Sequence, residues 1–218
     1  MKFKILYDNY AESGFEAAWG FSCLVEAHGK KLLFDVGWDY AILSRNMSKL
    51  SVEPKTIDSV FISHNHWDHM GALPEFLRVR GVIPVYVPKS ISPRMKGELG
   101  KRAELVEIAD ACEIGSGFYS TGELGSDIKE QSLLVEGPRG NVLVTGCAHP
   151  GLTDMFSAAS EFGKLSGVIG GLHDSSEFGI LKELEIIAPC HCTQRKEEVL
   201  RFYPRTAKLC GAGSVIEV

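Results

Sequence analysis

The sequence predicts an α/β fold in which two similar halves face each other, and three observations carry that expectation. Apolar runs of strand length are followed by stretches with helical spacing. Two hairpins, over 21–34 and 131–145, each lead into later strand–helix units. Four apolar strand ends deliver histidines, and α/β architectures assemble their sites from the ends of different strands.

In chain order, residues 2–7 alternate as a first strand, and 10–19 form a polar, small-residue loop. Strands over 21–27 and 31–34 join through His28-Gly29-Lys30, and Asp35-Val36-Gly37 closes the second. Two roles stay open for Asp35: capping the next helix, or hydrogen-bonding into the histidine-rich loop. Ile42, Leu43, Met47 and Leu50 make the apolar face of a helix over 40–50. A buried strand over 59–62 precedes that loop, and a helix over 72–80 stops at Gly81. Pro84 marks the strand over 82–87 as an edge or a strand start.

Further strands are expected over 104–109 and 111–119, the latter broken by Gly115 and Gly117. The second hairpin turns through Gly137-Pro138-Arg139-Gly140. A helix over 153–162, a strand over 167–172, a short helix around 176–184, a strand over 185–189, a helix over 194–203 and a strand over 214–218 complete the chain.

With 218 residues, 44% hydrophobic and 23% charged, the chain can bury a substantial core, and a single domain over 1–218 is expected. The net charge of −5, without a basic run, disfavours nucleic acid as a principal partner and leaves a small anionic substrate open. Neither a signal peptide nor a membrane-spanning apolar stretch is evident, so a cytoplasmic protein with no membrane partner is expected. Oligomeric state is open, a homo-oligomer included. The six cysteines lack disulfide-framework spacing and read as reduced thiols.

The chemistry centres on Ser63-His64-Asn65-His66-Trp67-Asp68-His69. In an extended segment His64 and His66 point the same way and can reach one ion. A following helical turn carries Asp68 and His69 to the other side, where they can hold a second ion or a water. Imidazole with carboxylate suits zinc, iron, manganese or cobalt rather than calcium or magnesium. The alternative is a polar surface cluster. Against it, His149, His173 and His191 also follow apolar strands, so six of the seven histidines stand at strand ends.

Three smaller features complete the residue-level reading. Lys89, Arg94 and Lys96 read either as a solvated helix face or as a rim facing an anionic substrate. Cys147 is open to metal contact or simple burial. Strand alternation places Cys190 and Cys192 opposite His191, so both thiols are expected to pack away from the metals.

The run His64-x-His66-x-Asp68-His69 resembles the signature of the metallo-β-lactamase superfamily. That resemblance spans almost the whole chain and implies a four-layer αββα sandwich, two mixed sheets face to face with helices outside and the site at one edge. It implies His64 and His66 as ligands of one ion, Asp68, His69 and His191 as ligands of the other, and Asp35 as a support of the loop. His149 is a candidate to complete the first ion's ligands from a displaced position, because Gly146-Cys147 stands where the family carries Gly-Asp. Within the superfamily, Gly146-Cys147-Ala148-His149-Pro150-Gly151, Pro189-Cys190-His191-Cys192-Thr193, Asp8-Asn9 and Glu130-Gln131-Ser132-Leu133 resemble the dihydropterin ribofuranosylaminobenzene 5'-phosphate synthase-like branch.

The expected activity is a metal-dependent hydrolase with one or two zinc ions, or manganese or iron, lowering the pKa of a water and polarising the substrate. Asp68 is expected to orient the nucleophile, and His173 to act as an acid or hydrogen-bond donor. A phosphoester or phosphodiester, pterin-related or not, ranks ahead of a thioester or lactone. A non-hydrolytic iron redox or sensing protein is the competing class.

Overall fold

A computed structural model describes residues 1–218. The first half supplies β1 (Lys2–Tyr7), β2 (Ser22–Ala27), β3 (Lys30–Phe34), β4 (Ser59–Phe61), β5 (Pro84–Pro88) and β6 (Glu104–Ile108). The second half supplies β7 (Cys112–Gly115), β8 (Phe118–Ser120), β9 (Leu133–Val135), β10 (Asn141–Thr145), β11 (Leu165–Gly171) and β12 (Ile186–Cys190). A last strand, β13 (Val215–Glu217), returns to pair antiparallel with β1.

The sheet orders are β13-β1-β2-β3-β4-β5-β6 and β12-β11-β10-β9-β8-β7. Each half repeats one plan. An antiparallel hairpin, β2/β3 with Val25 opposite Leu32 or β9/β10 with Leu134 opposite Leu143, feeds a run of parallel strands. Parallel strands share a direction, so the carboxyl ends of β3, β4, β10, β11 and β12 gather at one edge of the sandwich.

Alternation along the strands sorts side chains into three cores. Phe3, Val25, Phe34 and Phe61 of the first sheet meet Val135, Val144, Ile169 and Ala188 of the second. The outer face of the first sheet, with Leu24, Leu33, Val60 and Val85, is covered by α1 (Tyr40–Lys49), α3 (Leu73–Arg80) and α4 (Pro93–Leu99). Leu134, Leu143, Val168 and Ile187 on the outer face of the second sheet are covered by α5 (Leu152–Ser160) and α6 (Lys196–Phe202). These layers form the αββα sandwich. No helix is long and apolar enough to cross a membrane.

Several elements differ in detail from the sequence expectation. The 111–119 segment is two strands, β7 and β8, turning at Gly117, whose φ of 75° suits a residue without a Cβ. Pro84 starts β5, which lies inside the sheet between β4 and β6, so its missing N–H falls at the strand's first residue. The 176–184 helix reduces to a 3₁₀ turn over Phe178–Leu181. Asp39 caps α1, accepting from Ala41 N at 2.7 Å and Ile42 N at 3.3 Å, so Asp35 is free for another role.

Six non-glycine residues have positive φ, and four of them follow strand ends at the histidine edge: Asp35, Ala148, His173 and His191. Such conformations cost about 1–3 kcal/mol each. One fully buried large apolar side chain contributes roughly 1.5–3 kcal/mol. The three cores therefore hold these turns against their strain, which concentrates where chemistry is expected.

Candidate metal centre

His64 and His66 follow β4, and the short helix α2 (Trp67–Met70) carries Asp68 and His69. Cys147 and His149 follow β10, His173 follows β11 and His191 follows β12. The two sheets thus contribute from opposite sides of one edge. His64, His66 and His149 offer ligand atoms within 4.8 Å of one another, as do Asp68, His69 and His191. Cys147 lies between the sets, grouping with His64 and His69 and also with His191 and Cys192.

The hydrogen-bond network determines which nitrogen of each ring enters the site. Ser63 Oγ donates its only hydrogen to Asp35 Oδ2 at 2.7 Å, so at 2.9 Å it accepts from His64 Nδ1. His69 Nδ1 donates to Asp35 Oδ2 at 2.7 Å, and His149 Nδ1 donates to Glu130 Oε2 at 2.8 Å. His191 Nδ1 donates to Asn9 Oδ1 at 3.0 Å. In all four rings the proton is therefore on Nδ1, and the Nε2 lone pair points into the centre.

The imidazole lone pairs meet one another without a proton between them, His69 Nε2 and His191 Nε2 being 3.2 Å apart, and the Cys147 thiol lies 3.3 Å from His69 Nε2. Asp68 Oδ2 is 3.4 Å from His191 Nε2. The buried His64 Nε2 has no hydrogen-bond partner. Convergent acceptors of this kind repel one another unless a cation joins them. For zinc–nitrogen bonds the edge of a coordination tetrahedron is about 3.3 Å, so the observed separations fit such an ion.

Burial pushes His69 down to about 3, helped by His191, and pushes His64 well below the usual imidazole range. Both are neutral donors at neutral pH, the form that ligates metal. Burial alone would raise Asp68 and Glu130. The contact with His191 opposes it at Asp68, and the His149 Nδ1–H together with the backbone N–H of Cys147 opposes it at Glu130, so both carboxyls lie below their normal range.

In the sequence Glu130 stands out only as part of a family-like run, yet it organises half of the centre. Fully buried, its Oε1 accepts from the backbone N–H groups of Gly146, Cys147 and Ala148 at 2.8–3.1 Å. Its Oε2 accepts from His149 N at 3.0 Å. Asp8 likewise accepts from His191 N at 2.7 Å. Polar residues placed directly beside apolar strand segments were the available signal for Asp8, Asn9 and Glu130.

The remaining expected residues separate. His173 lines a pocket of about 290 Å³ with Trp19, His66, Trp67, Asp68, Cys147, His149, His191 and Cys192, and its Nδ1 lies 3.1 Å from Asp174 Oδ1. Lys89, Arg94 and Lys96 do not line it, and Lys96 Nζ donates to Glu107 Oε2 at 2.7 Å and to Lys89 O at 2.9 Å. Cys190 packs between the sheets as expected, but Cys192 faces the pocket. His191, with φ of 44°, breaks the alternation on which that expectation rested.

All three tryptophans are exposed, Trp19 at 54% and Trp67 at 58% lining the pocket and Trp38 at 45% packing beside Trp67. Trp19 lies edge-on to His191 and Trp38 edge-on to Trp67, with ring centroids 5.2 and 5.6 Å apart. They present flat apolar surface around a polar floor.

Comparison with known proteins agrees with this architecture. The sequence profile of the metallo-beta-lactamase superfamily matches residues 20–161. The 7,8-dihydropterin-6-methyl-4-(beta-D-ribofuranosyl)-aminobenzene-5'-phosphate synthase of Methanocaldococcus jannaschii is 26% identical, covering 91% of this chain and 89% of the relative. An uncharacterised protein of the same organism is 27% identical, covering 78% of each chain. The crystal structure of a metal-dependent hydrolase of the beta-lactamase superfamily superposes with a TM-score of 0.82 and 25% identity, covering 100% of this chain and 99% of that one.

Proposed function

The chain belongs to the metallo-β-lactamase superfamily, and on that premise we propose that it is a metal-dependent hydrolase directing water onto a small anionic phosphoester or phosphodiester. The observation that carries the proposal is the convergence of two donor sets, His64/His66/His149 and Asp68/His69/His191, at the floor of one open pocket, four of their imidazoles presenting a bare Nε2. Zinc, as one or two ions, suits imidazole, carboxylate and thiol donors together. When bound, such an ion lowers the pKa of a coordinated water and polarises the oxygen of the group under attack.

The chain's own residues supply the rest. Asp35, Glu130 and Asn9 hold the imidazoles in the ligating tautomer, so little reorganisation accompanies binding. Asp68 remains ionised at neutral pH and can orient the attacking water by accepting its hydrogen bond. His173 stands on the open side of the pocket, its Nδ1 engaged by Asp174 and its Nε2 available to the leaving group.

The tryptophan rim favours a substrate carrying a flat ring, since aromatic faces stack on one another. A pterin-related phosphoester agrees with the activity after which the similar Methanocaldococcus synthase is named. The six free cysteines suit a reducing compartment, and we assign the protein to the cytoplasm.

Elemental analysis of gently purified protein, paired with turnover assays on phosphodiesters, cyclic phosphodiesters, thioesters and lactones, tests this reading. Zinc together with chelator-sensitive phosphoester turnover is expected. Turnover confined to thioesters or lactones would move the substrate class. Iron with oxygen-dependent spectra and no hydrolysis would overturn the proposal.

A further inference from the structure

Cys192 is brought to the pocket by a specific local construction. Strand β12 stops at Cys190, and His191 then takes a left-handed conformation that turns the chain back over the end of β11. Thr193 locks this turn, its Oγ donating to Cys190 O at 2.7 Å and accepting from Leu172 N at 2.9 Å. Beneath lies Gly171, where a Cβ would stand 2.7 Å from Cys192 Sγ and 3.1 Å from Cys147 Cα. A side chain at Gly171 would collide with the Gly146 carbonyl as well as with Cys192 Sγ, so the glycine gives this crowded corner its room.

Cys147 is positioned independently, by the Glu130 carboxylate on its backbone N–H. Cys147 Sγ, Cys192 Sγ and a His191 ring nitrogen consequently lie within 4.8 Å of one another. Cys192 Sγ has only a long contact, 3.7 Å to Cys147 O, while the Cys147 thiol can donate to the Nε2 lone pair of His69 at 3.3 Å, a proton that a bound cation would replace.

We propose that Cys192 joins Cys147 and His191 as a thiolate ligand of a metal ion on the His191 side of the centre. The inference rests on the metal-binding reading above and adds a sulfur-rich half to the centre. On ligation each thiol releases its proton to solvent and gives a sulfur lone pair to the ion, with no change of oxidation state. Thiolate donors select zinc or ferrous iron over magnesium and manganese.

Cobalt(II) loaded into the metal-free protein tests this by absorption, because thiolate ligands produce an intense near-ultraviolet sulfur-to-cobalt charge-transfer band. Cys192→Ser is expected to leave roughly half of the band, Cys147→Ser likewise, and Cys112→Ser all of it. Cys192→Ser should also weaken zinc binding about tenfold while manganese binding changes little. In the wild-type protein, iodoacetamide should alkylate Cys192 in the metal-free form and be blocked by zinc, a readout that requires no variant to fold. An unchanged band in Cys192→Ser, or equal alkylation with and without zinc, overturns the assignment. Cobalt bound without any such band removes both thiols from the ligand set, whereas failure to bind cobalt overturns the metal-binding reading itself.

Discussion

Glu130 Oε2 accepts hydrogen bonds from both the backbone N–H of His149, at 3.0 Å, and its ring Nδ1, at 2.8 Å. One buried carboxylate thus sets both the position and the tautomer of a histidine nineteen residues away. In Glu130→Gln an amide N–H₂ must replace one oxygen and face donors. Metal affinity is expected to fall about 10- to 100-fold, measured by chelator competition. The metal-free protein should lose about 3 kcal/mol in urea unfolding, because buried donors lose their acceptor.

The two donor sets predict separable losses. His66→Ala removes one of three donors on the His64/His149 side and should reduce bound metal there while leaving the Asp68 side loaded. His191→Ala should do the reverse. Metal stoichiometry by elemental analysis, with cobalt spectra for each half, distinguishes the two. Unchanged metal content in His66→Ala would refute the assignment of the first set.

Trp67 is 58% exposed beside the pocket and contributes little to the core. Trp67→Ala should leave folding intact and raise KM for a substrate with a flat ring about fivefold, the equivalent of about 1 kcal/mol of stacking, with kcat nearly unchanged. Substrates lacking a ring should show no such effect.

Acid should destabilise the metal-free protein. His64, His66 and His69 are pushed down by burial, His69 to about 3, so below about pH 6.5 the unfolded chain binds protons that the native chain refuses. Each contributes up to about 1.4 kcal/mol of lost stability per pH unit of acidification. Asp8 and Asp35, raised by burial, act in the opposite sense, but they are two against three. Below about pH 4, where unfolded carboxylates protonate, Asp68 and Glu130 add to the loss because their native forms are held low. Urea midpoints measured from pH 7 to pH 3 should fall throughout and fall faster below pH 4.

The α/β class, the hairpin-plus-parallel-strand repeat and the strand-end histidines were all legible in the sequence, because hydrophobic periodicity and the residue following each strand are local properties. The His64-to-His69 run carried the expected chemistry for the same reason. Only the tertiary structure decided which residues support those histidines. Glu130 meets His149, Asn9 meets His191 and Asp35 meets His69 through contacts between separate strand ends, and no local pattern specifies such pairs. It also decided the fate of Cys192. Strand alternation pointed its thiol away, but one left-handed residue, held by Thr193 and given room by Gly171, turned it toward Cys147. Periodicity describes regular backbone, and this centre is built where the backbone stops being regular.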